Sequence, residues 1–278
     1  WYRFFAACIV LFAWLTIQRK IPQILRQAAQ IKWFLLFAAI GLCINYFLFS
    51  YSLNFVNGET SEAVIQLTTL FLILGGVFLY KEPFLAVQKV GTGLIICGLL
   101  LFFNDRLSGF LSLENRETIG VIIVVFAAIT WAVYALLQKQ LLNSFSSVQI
   151  LFLIYAFSSI ALLPLISPLS LFQLSEIQVY LLLFCCLNTI IAYGCFAEAL
   201  NCWDASKVSA VLALAPLFTI GSLKLLVFFQ PDYAFSDRLS MLSLLGAFLL
   251  VVGSALTALM PVFQQYRANK RGALTESV

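Results

Sequence analysis

The chain has 278 residues, of which 63% are hydrophobic, 15% aromatic and only 10% charged; its net charge is +4 and it has no histidine. Roughly 25% charged residues are usual in a soluble domain, so this chain has too few to cover a water-facing surface. Without histidine, a Walker-type glycine loop or carboxylates paired at catalytic spacing, the sequence offers no metal centre, cofactor site or enzyme constellation.

Nine long apolar segments follow one another at residues 1–17, 33–54, 61–80, 84–103, 119–138, 148–166, 178–200, 206–228 and 240–260. Most have the length and the scarcity of charge that a helix needs to cross a bilayer. The fold class is therefore an all-α polytopic membrane protein, with short connections that make successive helices antiparallel. Pro83 fits the first turn of a helix, where its missing N–H costs nothing. Pro216 falls inside 206–228 and frees a backbone carbonyl there. The stretch 104–118 is polar, and 261–278 forms a polar tail. Cys43, Cys97, Cys185, Cys186 and Cys195 lie inside apolar segments and read as small packing residues rather than as a disulfide framework.

The first half of the chain returns 147 positions later. Tyr46, Phe49, Leu53 and Asn54 reappear as Tyr193, Phe196, Leu200 and Asn201, and Leu70-Phe71 as Leu217-Phe218. On that offset 148–166 matches 1–19, while 119–138 finds no counterpart. The expectation is one further helix upstream in the natural protein, giving ten spans in two five-helix repeats. The domains are then 1–103 (first repeat without its first helix), 104–118 (joint), 119–260 (second repeat) and 261–278 (tail).

Lysine and arginine bias sets the orientation. One set of loops carries eleven basic residues: Arg19, Lys20, Arg26, Lys32, Lys81, Lys89, Lys139, Lys207, Arg267, Lys270 and Arg271. The other set carries Arg106, Arg116 and Arg238, and five in all when Arg3 and Lys224 are added at the outer helix ends, where long side chains reach the headgroups. The first set faces the cytoplasm, as does the C-terminus. An odd number of helices per repeat then turns the two repeats over relative to each other, the usual build of a solute carrier. The basic residues mark topology and give no nucleic-acid footprint.

The unit ETSEAVIQLTTLFLILGGVFLYKEPFLAVQKVGTGLIICGLLL, with Lys81-Glu82 and Gln88–Gly91, and its partner DASKVSAVLALAPLFTIGSLKLLVFF, with Ala215-Pro216-Leu217, resemble the EamA-type members of the drug/metabolite transporter superfamily. The resemblance covers the whole chain apart from the expected first helix. There are departures: Thr69 stands where the second half has Pro216, Phe228-Phe229 replaces an acidic turn, and the second half carries eight extra residues between its last two helices. The resemblance implies a secondary transporter of small organic metabolites such as amino acids, often exported, in the inner (plasma) membrane.

Polar residues inside the spans are expensive unless they face protein or a wet cavity, so they are the site candidates. Glu62, Gln66 and Thr69 share one helical face, either on the solute path or in interhelical hydrogen bonds. Asn45 and Ser52 share another, with Tyr46 beside them. Asn188, Thr189 and Tyr193 lie on 178–200, and the repeat relation of Tyr46 to Tyr193 suits two sides of one cavity. Trp131, Tyr134 and Gln138 form a further stripe, although Tyr134 and Gln138 also suit the interfacial belt. The expected substrate-binding set is Asn45, Tyr46, Gln66, Thr69, Trp131, Tyr134, Asn188, Thr189, Tyr193 and Pro216. Glu62 and Glu198 are candidates for ion coupling, each equally suited to capping a helix end. Gly91 and Gly98, like Gly246 and Gly253, lie seven apart on one helical face and suit close packing. The resemblance places their helices, 84–103 and 240–260, at the periphery, where they could support a homodimer.

The expected partners are thus a small-molecule solute, the lipid bilayer and a second copy of the chain. The expected activity is alternating access around a central cavity lined by 33–54, 61–80, 119–138, 178–200 and 206–228. The alternative is a non-transporting membrane scaffold or subunit that keeps the repeat fold.

Overall fold

A backbone that crosses lipid must satisfy its own N–H and C=O groups, and every regular element among the described residues is helical. The computed structural model describes residues 1–21, 31–81, 84–104, 116–212, 215–229 and 240–257. The helices are α1 (Tyr2–Ile17), α2 (Lys32–Ser52), α3 (Gly58–Ile65), α4 (Leu67–Tyr80), α5 (Ala86–Phe102), α6 (Arg116–Leu141), α7 (Ser147–Leu162), α8 (Glu176–Cys202), α9 (Ala205–Leu212), α10 (Ala215–Phe229) and α11 (Met241–Thr257). Short 3₁₀ turns at Leu163–Leu165 and Pro168–Gln173 join α7 to α8. Among the described residues, five helical stretches are long and apolar enough to span a bilayer: α2, Thr60–Tyr80, α6, Ser147–Leu165 and α8. The remaining apolar helices, α1, α5 and α11, are shorter.

Helix starts follow a repeated local rule. In α5, α7 and α8 a glutamine in the first turn reaches back to the N–H just before the helix: Gln88 Oε1 accepts from Leu85 N (2.8 Å), Gln149 from Ser146 N (2.9 Å) and Gln178 from Ser175 N (2.9 Å). This is half of a capping box and satisfies a donor that would otherwise sit unpaired near the membrane surface. Asn57 caps α3 through its side chain, accepting from Thr60 N at 2.9 Å.

The chain forms two compact units, residues 1–44 with 133–203 and residues 45–132 with 204–278, so each draws on both halves of the sequence. In the first unit α1 packs on α7 and α8, with Phe4 against Tyr155 (5.6 Å between rings) and Phe12 against Phe152 (6.0 Å). The Trp1 indole donates to the Ser159 carbonyl at 2.8 Å, and Cys43 Sγ donates to Ser158 Oγ at 3.0 Å, tying α2 to α7.

In the second unit α4 packs on α9, and α3 on α10. Around them lies a core of Val56, Ala63, Val64, Phe102, Phe103, Val124 and Ala247. Helices α5 and α11 cross at glycines: a Cβ on Gly98 would stand 2.8 Å from the Gly246 carbonyl, and one on Gly253 2.6 Å from that of Gly91. The glycine faces expected to suit close packing meet in this contact within the chain. Side chains at those four positions would hold the backbones apart, which is why small residues stand there.

Large apolar side chains are exposed all along the helices, among them Phe5, Phe12, Phe37, Phe126, Phe184 and Phe248. In water such a surface would aggregate; against lipid tails it costs nothing.

Candidate functional site

The expected single helix over 61–80 is present, with one tightened turn at Gln66, whose backbone stays right-handed helical (φ −59°, ψ −17°). α3 ends at Ile65 and α4 starts at Leu67, with Gln66 as the joint between them. No proline lies in the segment to signal the tightened turn. Thr69 N bonds back to the Gln66 carbonyl at 3.0 Å, a tight turn at the restart of the helix. Gln66 is 4% exposed and Thr69 1% exposed, yet Gln66 Oε1 and Thr69 Oγ1 have no hydrogen-bond partner. Ser61 Oγ, one turn and a half earlier, is also buried without a partner. Each such atom costs roughly 1–3 kcal/mol, so three along one span require a reason. Glu62 is half-buried on α3. The repeat-related place on the other half is residues 213–214, which lie outside the described residues; Pro216 is in α10, with its side chain outside the description.

The other candidates of the second unit are Asn45, Tyr46 and Trp131. Asn45 is buried, and its Nδ2 donates to the Ala127 carbonyl at 2.9 Å, so it ties α2 to α6. Tyr46 and Trp131 are half-buried.

The remaining candidates lie in the first unit. Tyr134 is fully buried, its ring 6.3 Å from that of Tyr193 and 6.5 Å from that of Phe196. Gln138, one turn further along α6, is 0% exposed, and neither of its amide atoms has a partner. These two residues therefore do not form an interfacial belt; they face protein. Thr189 is fully buried at the middle of α8, while the neighbouring Asn188 is exposed. Glu198 lies near the end of α8, where its carboxylate accepts from Ser147 Oγ at 2.6 Å and from Asn201 Nδ2 at 3.2 Å. It stands at the end of an apolar cleft of about 750 Å³ between α1, α7 and α8.

Sequence reading placed Arg3 at an outer helix end, reaching for headgroups. The structure instead puts its Nε–H on Thr189 Oγ1 at 2.7 Å. Thr189 is thirteen residues from either end of α8, about 20 Å at 1.5 Å per residue, so this guanidinium lies deep within the apolar span. An arginine at such depth costs about 2.5–3.5 kcal/mol on insertion scales, which makes it a functional candidate by default. The signal was available in sequence: Arg3 is the one charged residue of an otherwise apolar segment. What sequence could not give was the depth of its neighbour.

Similarity to known proteins agrees with this layout. The description of the EamA-like transporter family matches residues 1–104 and 118–259. A protein of Haemophilus influenzae described as an uncharacterized transporter is 39% identical over 259 residues, 93% of this chain and 84% of its own length. The uncharacterized inner membrane transporter YhbE of Escherichia coli K12 is 39% identical over 260 residues, 93% and 81% of the two chains. More distantly, a probable amino-acid metabolite efflux pump of the same organism is 23% identical over 77% of this chain and 73% of that protein. One solved crystal structure superposes with a TM-score of 0.60 over 93% of this chain and 87% of its own, at 18% identity, which is a likeness of fold. With a family match across almost the whole length, and relatives at 39% identity matched over most of theirs, this chain belongs to the EamA-like transporter family.

Proposed function

We propose that the protein is a secondary transporter that exports a small organic metabolite, an amino acid or a close relative, by alternating access. The observation that carries the reading is the pair Gln66 Oε1 and Thr69 Oγ1, both buried without partners inside the span Thr60–Tyr80. Polar side chains left without partners inside a span are where a carrier can bind solute, because they offer hydrogen bonds that the surrounding packing does not use. A bound solute would supply the missing partners. The amino-acid class and the outward direction rest on the distant relative described as an efflux pump.

The crossing of α3 with α10 and α4 with α9 supports two repeats of opposite orientation, since it sets the first part of one segment against the second part of its repeat-mate. A cytoplasmic C-terminus is part of the same reading, supported by the basic loops.

The test is efflux from proteoliposomes loaded with the twenty L-amino acids, with and without a pH gradient. Transport of at least one of them by the wild type, lost in Gln66→Leu although the variant folds, is the expected result. No movement of any solute under either condition would sink the proposal and leave the non-transporting scaffold.

A further inference from the structure

The cleft between α1, α7 and α8 lies wholly in the first unit and has no part in the site at Gln66. Its volume is about 750 Å³, and its walls are apolar, with Ile9, Val10, Trp14, Leu151, Ile190 and Gly194 among them. Ile9, Val10 and Trp14 are exposed, so the cleft opens on the surface that meets lipid. In a bilayer such a cleft is filled, because bare walls forfeit their dispersion contacts. An acyl chain that enters it gains no hydrophobic energy, since lipid tails are as apolar as the walls. Any preference for one lipid over another therefore comes from the groups at the polar end of the cleft.

Helix register identifies that end. α1 runs antiparallel to α7, with Trp1 bonded to Ser159 and Phe12 packed on Phe152, which brings Ile17 towards Ser147 at the start of α7. Ile17, Ser147 and Glu198 all line the cleft, and Glu198 is the one charged residue that does so. Its carboxylate is held in place. Buried Ser147 donates to Oε2 at 2.6 Å, Asn201 Nδ2 donates to Oε1 at 3.2 Å, and the Cys202 thiol stands 3.9 Å from Oε1. A carboxylate offers about four lone-pair sites, so Glu198 can accept from a further donor.

Two cations stand at the same mouth. Arg19 and Lys20 follow Ile17 and are exposed. Arg19 closes α1 in the left-handed conformation (φ 55°), its N–H on the Thr16 carbonyl at 2.9 Å and that of Lys20 on the Leu15 carbonyl at 3.1 Å. Glycine is the usual residue at such a helix end, so a cation is carried here where the backbone favours none. The other charges on these three helices stand away from the mouth, Arg3 fourteen residues before Ile17 and Glu176 at the far end of α8; α6, which carries Lys139, does not line the cleft. One acid and two cations match a headgroup that carries both an ammonium and a phosphate. The ammonium is primary, because a quaternary one has no N–H for Glu198 to accept. A headgroup with phosphate alone would meet the cations but be repelled by Glu198.

We propose that the cleft binds a phospholipid with a primary-ammonium headgroup, one acyl chain along Ile9, Trp14 and Ile190, the ammonium on Glu198 and the phosphate at Arg19 and Lys20. This site is independent of the transport reading.

The experiment is native mass spectrometry of the purified chain, supplied in turn with phosphatidylethanolamine, phosphatidylcholine and phosphatidylglycerol of identical acyl chains. The wild type should retain phosphatidylethanolamine about fivefold more than either of the others, the upper range for an exposed ion pair. Glu198→Gln should erase the preference over phosphatidylcholine, and Arg19→Gln combined with Lys20→Gln should weaken retention of all three. Gly194 lines the cleft, and a Cβ there meets nothing within 4 Å, so Gly194→Leu fills the space without a clash. It should lose the adduct while the melting temperature holds. A wild type without a headgroup preference, or one that prefers phosphatidylglycerol, overturns the proposal. So does a Glu198→Gln protein that keeps the wild-type preference, or an adduct undiminished in Gly194→Leu. Where Glu198→Gln fails to fold, Gly194→Leu decides by the same adduct.

Discussion

Buried polar atoms without partners are normally selected against, because each forfeits its bonds to water and regains nothing. Gln66, Thr69 and Gln138 all carry such atoms in helices otherwise filled with leucine, isoleucine and phenylalanine. Their replacement by apolar groups of similar shape therefore has a distinctive signature. Gln66→Leu and Thr69→Val should leave thermal stability unchanged or raise it by about 1–3 kcal/mol, while transport falls tenfold or more. A parallel loss of stability and transport would mean that the two side chains hold the fold. The contrast is Asn45, whose amide is already bonded to the Ala127 carbonyl. Asn45→Leu removes a made bond while the Ala127 carbonyl keeps the Thr130 hydroxyl at 3.0 Å, so unfolding in detergent should show a loss of about 0.5–1.5 kcal/mol.

Helices in this protein are fixed at their starts by glutamine and at one crossing by glycine. Gln88, Gln149 and Gln178 each satisfy an N–H at a helix start. Gln178→Ala should cost about 1 kcal/mol, measured by unfolding, through loss of that capping bond. The glycines on the crossing of α5 and α11 are less forgiving. A Cβ at Gly98 would lie 2.7 Å from the Leu250 nitrogen, which is backbone and cannot move aside, whereas a Cβ at Gly93 meets nothing within 4 Å. Gly98→Ala should therefore destabilise the protein by about 1–3 kcal/mol through overpacking. Gly93→Ala should be neutral or stabilise by up to about 1 kcal/mol, since glycine is a poor helix former. Equal effects at the two sites would show that the crossing is looser than its geometry implies.

For the whole chain, the proposed orientation in the bilayer rests on eleven basic residues on one set of loops against five on the other. A fluorescent reporter fused to the C-terminus should light up in the cytoplasm, and a periplasmic phosphatase fused there should stay inactive. Segment existence and apolar character were legible because lipid imposes one rule, a run of about 20 apolar residues, on every span. The long helices α2, α6 and α8 accordingly begin and end within three residues of the expected segments. Polar side chains inside those spans were legible for the same reason: Gln66, Thr69, Tyr134, Thr189 and Tyr193 stand out against an apolar background.

Sequence by itself determined an all-helical membrane chain with an internal repeat and a short roster of polar side chains, since each of those is a property of residue type and spacing along one strand of chain. Which polar groups are already bonded is a property of pairs distant in sequence, and only the tertiary structure decided it. Packing placed Asn45 on Ala127, Arg3 on Thr189 and Gly98 on Gly246, and left Gln66 and Gln138 with bonds unmade.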